Sequence, residues 1–178
     1  MKYLIMCEGT NEKKIIDILL AYGRLNIQQD DLLGLATYHA RQIKKSTVVQ
    51  ANLRIYGGEV EVYRIGDKMS DKLDIPQEFK RQIKKEVKFC TLPELEVLLI
   101  ISENKYKEYE KIKSIKKPKQ FAKEQIVFQG KKYNNATEFY DNYYGQEPEK
   151  LVAAIRKYKQ LHGSHKNDEH YLLELLKE

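Results

Sequence analysis

The sequence predicts an α/β protein with a mostly parallel sheet flanked by helices, followed by a helical C-terminal part. Three short apolar runs carry this prediction, and each precedes a turn and a helical pattern: residues 3–7, 60–65 and 87–91. Each run is too short for a helix of its own but has the length of a buried or half-buried strand. Strands that alternate with helices are typical of a parallel sheet, because parallel strands need crossover connections.

The elements between and after these strands are predicted mainly as helices. The first runs from about Asn11 to Tyr22 and ends at Gly23, and the second covers residues 46–55 with Ser46 as its N-cap. Residues 32–43 favour either a strand or a short helix. The remaining predictions are a short strand at Val127–Phe128, helices over 76–85, 95–101, 136–144 and 148–161, and a final helix that Asp168 caps.

Composition limits the possible classes of protein. A chain of 178 residues fits one domain, with a core over residues 1–104 and a basic segment with C-terminal helices, residues 105–178, packed on it. The net charge of +6 is compatible with a polyanionic partner but is also common in soluble proteins. Two cysteines in apolar stretches, Cys7 and Cys90, favour a reducing cytoplasm over a disulfide scaffold. No apolar run approaches the length of a membrane span.

Acidic residues stand where the predicted strands end. Glu8 follows the first strand, Asp67 follows the second, and Glu96 begins the element after the third. The carboxyl ends of parallel strands meet at one edge, so these three carboxylates are expected to converge on Mg²⁺ or Mn²⁺, which prefer oxygen ligands. The alternatives are a Glu8 that only favours the positive end of a helix and a Glu96 that is an exposed acid. The sequence has no phosphate-binding Walker loop and no Ser/His/Asp set, so neither an ATPase nor an acyl hydrolase is indicated.

Lysines dominate residues 105–132, and four aromatic residues are interleaved with them. This pattern suggests a nucleic-acid-binding surface, because lysines contact phosphates and aromatic rings stack on bases. An ordinary solvated surface with its aromatic side chains turned inward is at least as consistent with the pattern. The candidate nucleic-acid-binding residues are Lys111, Lys113, Lys116, Lys117 and Lys119.

Two motifs and the C-terminus resemble a known family. Cys7-Glu8-Gly9-Thr10-Asn11-Glu12 resembles the opening Glu-Gly-x-x-Glu signature of TOPRIM domains, the fold of primases, type II topoisomerases and OLD-type nucleases. Pro93-Glu94-Leu95-Glu96-Val97-Leu98-Leu99 is similar to a segment of the RloB-like branch, with Glu96 at the position of that branch's acid. Residues 167–176 resemble the terminal helix of the same branch.

The resemblance implies a Mg²⁺- or Mn²⁺-dependent nuclease that hydrolyses phosphodiester bonds in RNA or DNA. It also implies the effector role in an anti-phage defence system, with an ABC-type ATPase as partner. Glu8 would be the general acid/base or a metal ligand, Asp67 a metal ligand and Glu96 a supporting acid.

The second TOPRIM motif, Asp-x-Asp, is incomplete. Asp67 is followed by Lys68 and Met69, and the next acid is Asp71. Asp71 could replace the missing ligand, one metal ion could be held more weakly, or catalysis could be lost. The alternative function is therefore a catalytically inactive TOPRIM-like module that binds nucleic acid or acts as an adaptor.

Overall fold

A computed structural model describes residues 1–67, 71–90, 94–162 and 169–178 of the chain. Within these ranges, five parallel strands form one sheet in the order β2-β1-β3-β4-β7, and β5 and β6 form a separate antiparallel hairpin. The strands are β1 (Lys2–Cys7), β2 (Tyr38–His39), β3 (Val60–Gly66), β4 (Ile83–Cys90), β5 (Val127–Phe128), β6 (Lys131–Lys132) and β7 (Glu169–His170). Helices flank the sheet, so the predicted α/β class is confirmed.

Seven α-helices lie in the described ranges, and short 3₁₀ turns connect several of the elements. The helices are α1 (Thr10–Ala21), α2 (Thr47–Tyr56), α3 (Val97–Ser102), α4 (Tyr106–Ile112), α5 (Pro118–Gln125), α6 (Thr137–Tyr144) and α7 (Pro148–Leu161). None of the helices in the described ranges has the length and apolar character needed to cross a membrane.

The side chains of β1 point alternately to two hydrophobic cores. Leu4 and Met6 pack on the side of α2, while Ile5 and Cys7 face the larger core that α1, α3, α6 and α7 complete. This burial on both faces is what a central strand of a parallel sheet requires. Both cysteines are buried, as their apolar surroundings in the sequence indicated. The larger core joins residues from both halves of the chain, since α6 packs on α1 and α7 packs on α3.

The register of the sheet places the ends of the central strands at one edge. Cys7 of β1 is aligned with Ile65 of β3, and Gly66 of β3 is aligned with Cys90 of β4. The backbone N–H of Glu8 continues this ladder by donating to the Ile65 carbonyl at 2.8 Å. Glu8 and Asp67 therefore leave neighbouring strands at the same edge, which is where open α/β sheets bind ligands.

The predicted helix over residues 76–85 is wrong. A 3₁₀ turn covers Gln77–Phe79, and β4 then begins at Ile83. Val87 and Phe89 alternate along β4 toward the larger core, whereas Ile83 faces the smaller core because the register shifts between Val60 and Glu61 of β3. Pairing with β3 satisfies the backbone of β4. The predicted third strand is thus four residues longer at its start, and its predicted last residue, Thr91, lies outside the described residues.

The predicted final helix is also wrong. Glu169–His170 pairs with β4 as a strand, and the chain then forms a 3₁₀ turn over Leu172–Leu175. The residues expected to face inward are nevertheless buried: Tyr171, Leu172, Leu175 and Leu176. The proposed cap, Asp168, lies outside the described residues. Residues 32–43 contain both alternatives, because β2 lies between two 3₁₀ turns.

Candidate functional site

A pocket of about 250 Å³ lies at the carboxyl edge of the sheet, and acidic residues dominate its wall. Asp67 enters from the end of β3, Glu12 from the first turn of α1, and Glu94 and Glu96 from the residues before α3. Lys119 of α5 is the cation of this wall. The volume is below the range of roughly 300–1,000 Å³ that is typical of small-molecule sites, so the pocket suits a hydrated ion or a phosphate group.

Glu8 lies beside this acidic pocket rather than in its wall. Its carboxylate covers Gly66, where a Cβ would lie 2.5 Å from a Glu8 oxygen, and it forms an ion pair with Arg41. The sequence predicted that Glu8 neighbours Asp67, and the two residues do leave adjacent strand ends. It did not predict the arginine, which follows β2 and supplies the charge that balances Glu8.

Glu12 is an acidic residue of the pocket that we did not select from the sequence. Its carboxylate packs against Gly9, so a larger residue at position 9 would collide with it. Burial raises the pKa of Glu12, and the negative charge of Glu96 raises it further. The signal for Glu12 was present, because it is the second acid of the Glu-Gly-x-x-Glu motif.

We expect Glu12→Gln to stabilise the metal-free protein at neutral pH. A carboxyl group whose pKa is raised on folding binds its proton more tightly in the folded state, so stability is lost as the pH rises through that folded pKa. Glutamine resembles the protonated form and avoids this loss. In urea unfolding with EDTA, the free energy of unfolding of the variant should exceed that of the parent at pH 7. This difference should disappear below the ordinary glutamate pKa. Equal stabilities at pH 7 would contradict a charge penalty at Glu12.

Glu96 is buried, with 5% of its surface exposed, and a tyrosine hydroxyl is its partner. Tyr133 donates to Glu96 Oε1 at 2.9 Å, and the Tyr140 hydroxyl lies 2.9 Å from that of Tyr133. The sequence suggested a cation, a metal ion or the surface as the environment of Glu96, and it did not suggest a phenol. The exposed-acid alternative is wrong, because the C-terminal part of the chain covers this side of the pocket.

We expect Tyr133→Phe to lower the free energy of unfolding by about 1–3 kcal/mol, because it leaves a buried carboxylate oxygen without its donor. Tyr56→Phe, on the partly exposed side of α2, is the matched control and should have little effect. Chemical denaturation of both variants measures the difference. A Tyr133→Phe protein as stable as the control would show that the hydrogen bond to Glu96 contributes nothing.

Asp71 does not line the acidic pocket, although the role of replacement metal ligand would place it there. Its carboxylate accepts from Arg64 Nη2 at 2.9 Å and from Gln42 Nε2 at 2.7 Å. Desolvation alone would raise the pKa of Asp71, but the hydrogen bonds and charge of Arg64 outweigh it and lower the pKa. Arg64, which is fully buried, also donates to Glu86 at 2.8 Å. Asp71 therefore belongs to a structural ion-pair network.

The basic segment forms α4, α5 and the β5–β6 hairpin. Among its aromatic residues, Tyr109 and Phe121 are buried and pack against each other, so they cannot stack on bases. These two rings agree with the alternative in which the aromatic side chains of the segment turn inward. Two of the candidate lysines form ion pairs, Lys113 with Glu110 and Lys116 with Glu124. Lys111 and Lys117 are exposed, and Lys119 alone among the five candidates lines the acidic pocket.

The donor set of the acidic pocket fits a hard divalent cation in chemical type. Its acidic side chains offer oxygen ligands, and Mg²⁺ needs only one or two carboxylates when water and substrate phosphates complete its shell. In the described ranges, no group of three or more His, Cys, Asp or Glu side chains is arranged to hold one ion. The described side chains therefore do not form a protein-enclosed cage for an ion.

Comparisons with known proteins give no match to this chain among family models, curated proteins or solved structures. The sheet topology and the acidic pocket define an α/β protein with a candidate anion- or cation-binding site at the carboxyl edge of its strands. The fold is compatible with a Rossmann-like arrangement.

Proposed function

We propose that this chain is a TOPRIM-like nuclease of the RloB-like branch that hydrolyses a nucleic-acid phosphodiester bond with Mg²⁺ or Mn²⁺. The observation that supports this most is the acidic pocket, which gathers Glu12, Asp67, Glu94 and Glu96 beside Lys119. So many carboxylates around a small polar space repel one another without a cation. Burial first, and then the charge of Glu96, raise the pKa of Glu12, so the charged form of this side chain is disfavoured in the pocket. A phosphate-bearing substrate fits such a site once a divalent ion offsets the acids.

The residues have distinct roles in this proposal. Asp67 and Glu96 would hold the ion, with Glu12 available as a further oxygen ligand. When bound, the ion supplies positive charge that stabilises the phosphoryl and leaving oxygens. Glu8 moves the proton of the attacking or leaving oxygen, and its ion pair with Arg41 orients its carboxylate. Lys119 orients the phosphate, and Tyr133 keeps the Glu96 carboxylate in one position.

The resemblance to RloB-like proteins extends the proposal beyond the site. It suggests an effector of an anti-phage defence system in the cytoplasm, with an ABC-type ATPase as partner.

The second candidate function is a catalytically inactive nucleic-acid-binding or adaptor module. It is favoured by the ion pair that engages Glu8 with Arg41 and by the lysine and methionine that follow Asp67 in the second motif. In this case the acids would stabilise a local structure or bind a basic partner.

Cleavage assays separate the two candidates. The parent protein should cut at least one of three substrates, tRNA, plasmid DNA or single-stranded oligonucleotides, with Mg²⁺ or Mn²⁺ and not in EDTA. Asp67→Asn removes one carboxylate charge of the acidic pocket at nearly constant shape and should abolish this activity. An Asp67→Asn protein that cuts as well as the parent would contradict the role of the pocket, and an inactive parent would favour the adaptor.

A further inference from the structure

A second, larger pocket of about 620 Å³ lies on the other side of Glu94. Glu94 lines both pockets, and its Oε2 atom accepts a hydrogen bond from the backbone N–H of Lys119 at 3.0 Å. The start of α5 separates the two spaces, because Lys117 and Pro118 line the larger pocket and Lys119 lines the acidic one. The two pockets are therefore neighbours that share a wall.

Both apolar and basic side chains line the larger pocket. Tyr106, Pro118 and Leu161 supply the apolar faces, and Lys113 and Lys117 supply the charges. Tyr106 and Tyr109 both line this pocket, but Tyr106 is only partly buried while Tyr109 is buried, so Tyr106 offers the more accessible ring. The volume falls within the range of roughly 300–1,000 Å³ for small-molecule sites, in contrast to the acidic pocket.

His162 completes the aromatic side of this pocket. Its ring stacks on Tyr158 with centroids 4.1 Å apart and meets the edge of Tyr106 at 5.8 Å. Burial lowers the pKa of His162, so the ring is uncharged at neutral pH and adds apolar surface rather than positive charge. The pocket thus combines planar apolar groups with two lysines, Lys117 and Lys113, of which Lys113 also pairs with Glu110 at 3.5 Å. This combination matches a base attached to a phosphate backbone.

We propose that the larger pocket holds one unpaired nucleobase of a strand whose neighbouring phosphate occupies the acidic pocket. This inference rests on the proposed function and adds the substrate class, which is single-stranded or locally unpaired nucleic acid. A base that is stacked inside a duplex cannot enter a pocket, whereas an unpaired base can stack on Tyr106 while Lys113 and Lys117 contact the flanking phosphates. The shared wall at Glu94 places the base next to the reacting phosphate.

Binding of labelled oligonucleotides tests this inference without relying on cleavage. The probes are a short homopolymeric single strand and its duplex, measured by fluorescence anisotropy with Mg²⁺ on a Glu8→Gln background. Tyr106→Leu should weaken binding of the single strand about tenfold and leave duplex binding nearly unchanged, because one base-stacking contact is lost. Tyr106→Phe keeps the ring and should bind like the background protein.

The lysines provide a second, independent variant in case Tyr106→Leu does not fold. Lys113→Gln with Lys117→Gln should weaken single-strand binding and reduce its salt dependence by about 0.7 unit of slope for each lost phosphate contact. The matched control is Lys131→Gln with Lys132→Gln, two exposed lysines on β6 outside this pocket, and it should have the smaller effect.

Several outcomes would overturn the inference. Equal losses of affinity for the single strand and the duplex in the pocket variants would indicate general electrostatic attraction. Unchanged single-strand binding by both the double lysine variant and Tyr106→Leu would show that no base enters the pocket. If only the proposed nuclease function fails, the parent will cut no substrate, but Tyr106→Leu will still bind the single strand more weakly than the Glu8→Gln background protein does. A parent that cuts nucleic acid while the pocket variants bind normally would refute the pocket alone.

Discussion

Glu8→Gln is expected to lower the cleavage rate by about 10²–10⁴-fold, the usual contribution of a positioned general acid or base. Glutamine keeps the shape of the side chain, but it cannot accept the proton and has no negative charge to pair with Arg41. Binding of uncut substrate should remain close to that of the parent. Single-turnover cleavage with Mg²⁺, measured next to anisotropy on the same substrate, separates the two effects.

The stability of the Glu8→Gln protein tells a site residue from a structural one. The Glu8–Arg41 pair is largely open to solvent on the arginine side, where 65% of the side chain is exposed, so its loss should cost less than about 1 kcal/mol. The positive charge of Arg41 also offsets repulsion between Glu8 and the acids Asp67 and Glu96. Glu59→Gln, which breaks the ion pair with Lys84 at 3.1 Å before β3, is the matched control and should cut normally. Undiminished cleavage by Glu8→Gln would remove Glu8 from the mechanism.

Arg64→Ala is expected to cause the largest loss of stability, about 3 kcal/mol. The Arg64 side chain is 1% exposed and pairs with Asp71 and Glu86, so removing it leaves two carboxylates without their cation and a void in β3. We expect the lower end of the range for buried ion pairs, because half of the Asp71 side chain remains exposed to solvent.

Arg54→Ala is the control for Arg64→Ala. Arg54 lies on α2 and also pairs with an acid, Glu78, at 2.8 Å, but both side chains are about half exposed. Its removal should hardly change the free energy of unfolding, since exposed ion pairs contribute little. Urea denaturation compares the two. Similar small losses in both variants would show that the Arg64 network is not a stabilising element of the strand.

The local sequence pattern was sufficient to predict an element that has clear hydrophobic spacing and a clear start signal. The prediction for α7 matches its observed bounds, because Pro148 suits the first turn and Leu151, Ile155 and Tyr158 recur at helical spacing. The prediction for residues 76–85 was wrong because this stretch holds seven charged or amide side chains and only two large apolar ones, Phe79 and Ile83, so neither the helical nor the strand period dominates. Pairing with β3, which is a tertiary interaction, then decides that Ile83 begins a strand.

The candidate site shows the same division. The positions of Glu8 and Asp67 followed from strand ends, because parallel strands share an edge. Three partners could not be predicted: Arg41 for Glu8, Arg64 for Asp71 and Tyr133 for Glu96. The last two partners are separated from their acids by 7 and 37 residues, and no spacing rule links such pairs. Asp71 was a candidate metal ligand because the sequence does not reveal its salt bridge with Arg64.

The most direct test of the central claim is a measurement of whether the acidic pocket binds a divalent ion through Asp67. Thermal unfolding with increasing Mn²⁺ should raise the midpoint of the parent, because an ion that binds only the folded state stabilises it by mass action. Asp67→Asn should not show this rise. Asp71→Asn, the same substitution outside the pocket, should have a lower midpoint without Mn²⁺ but should still show the Mn²⁺-dependent rise. No Mn²⁺-dependent rise in the parent, or an equal rise in Asp67→Asn, would contradict the ion site and favour the adaptor.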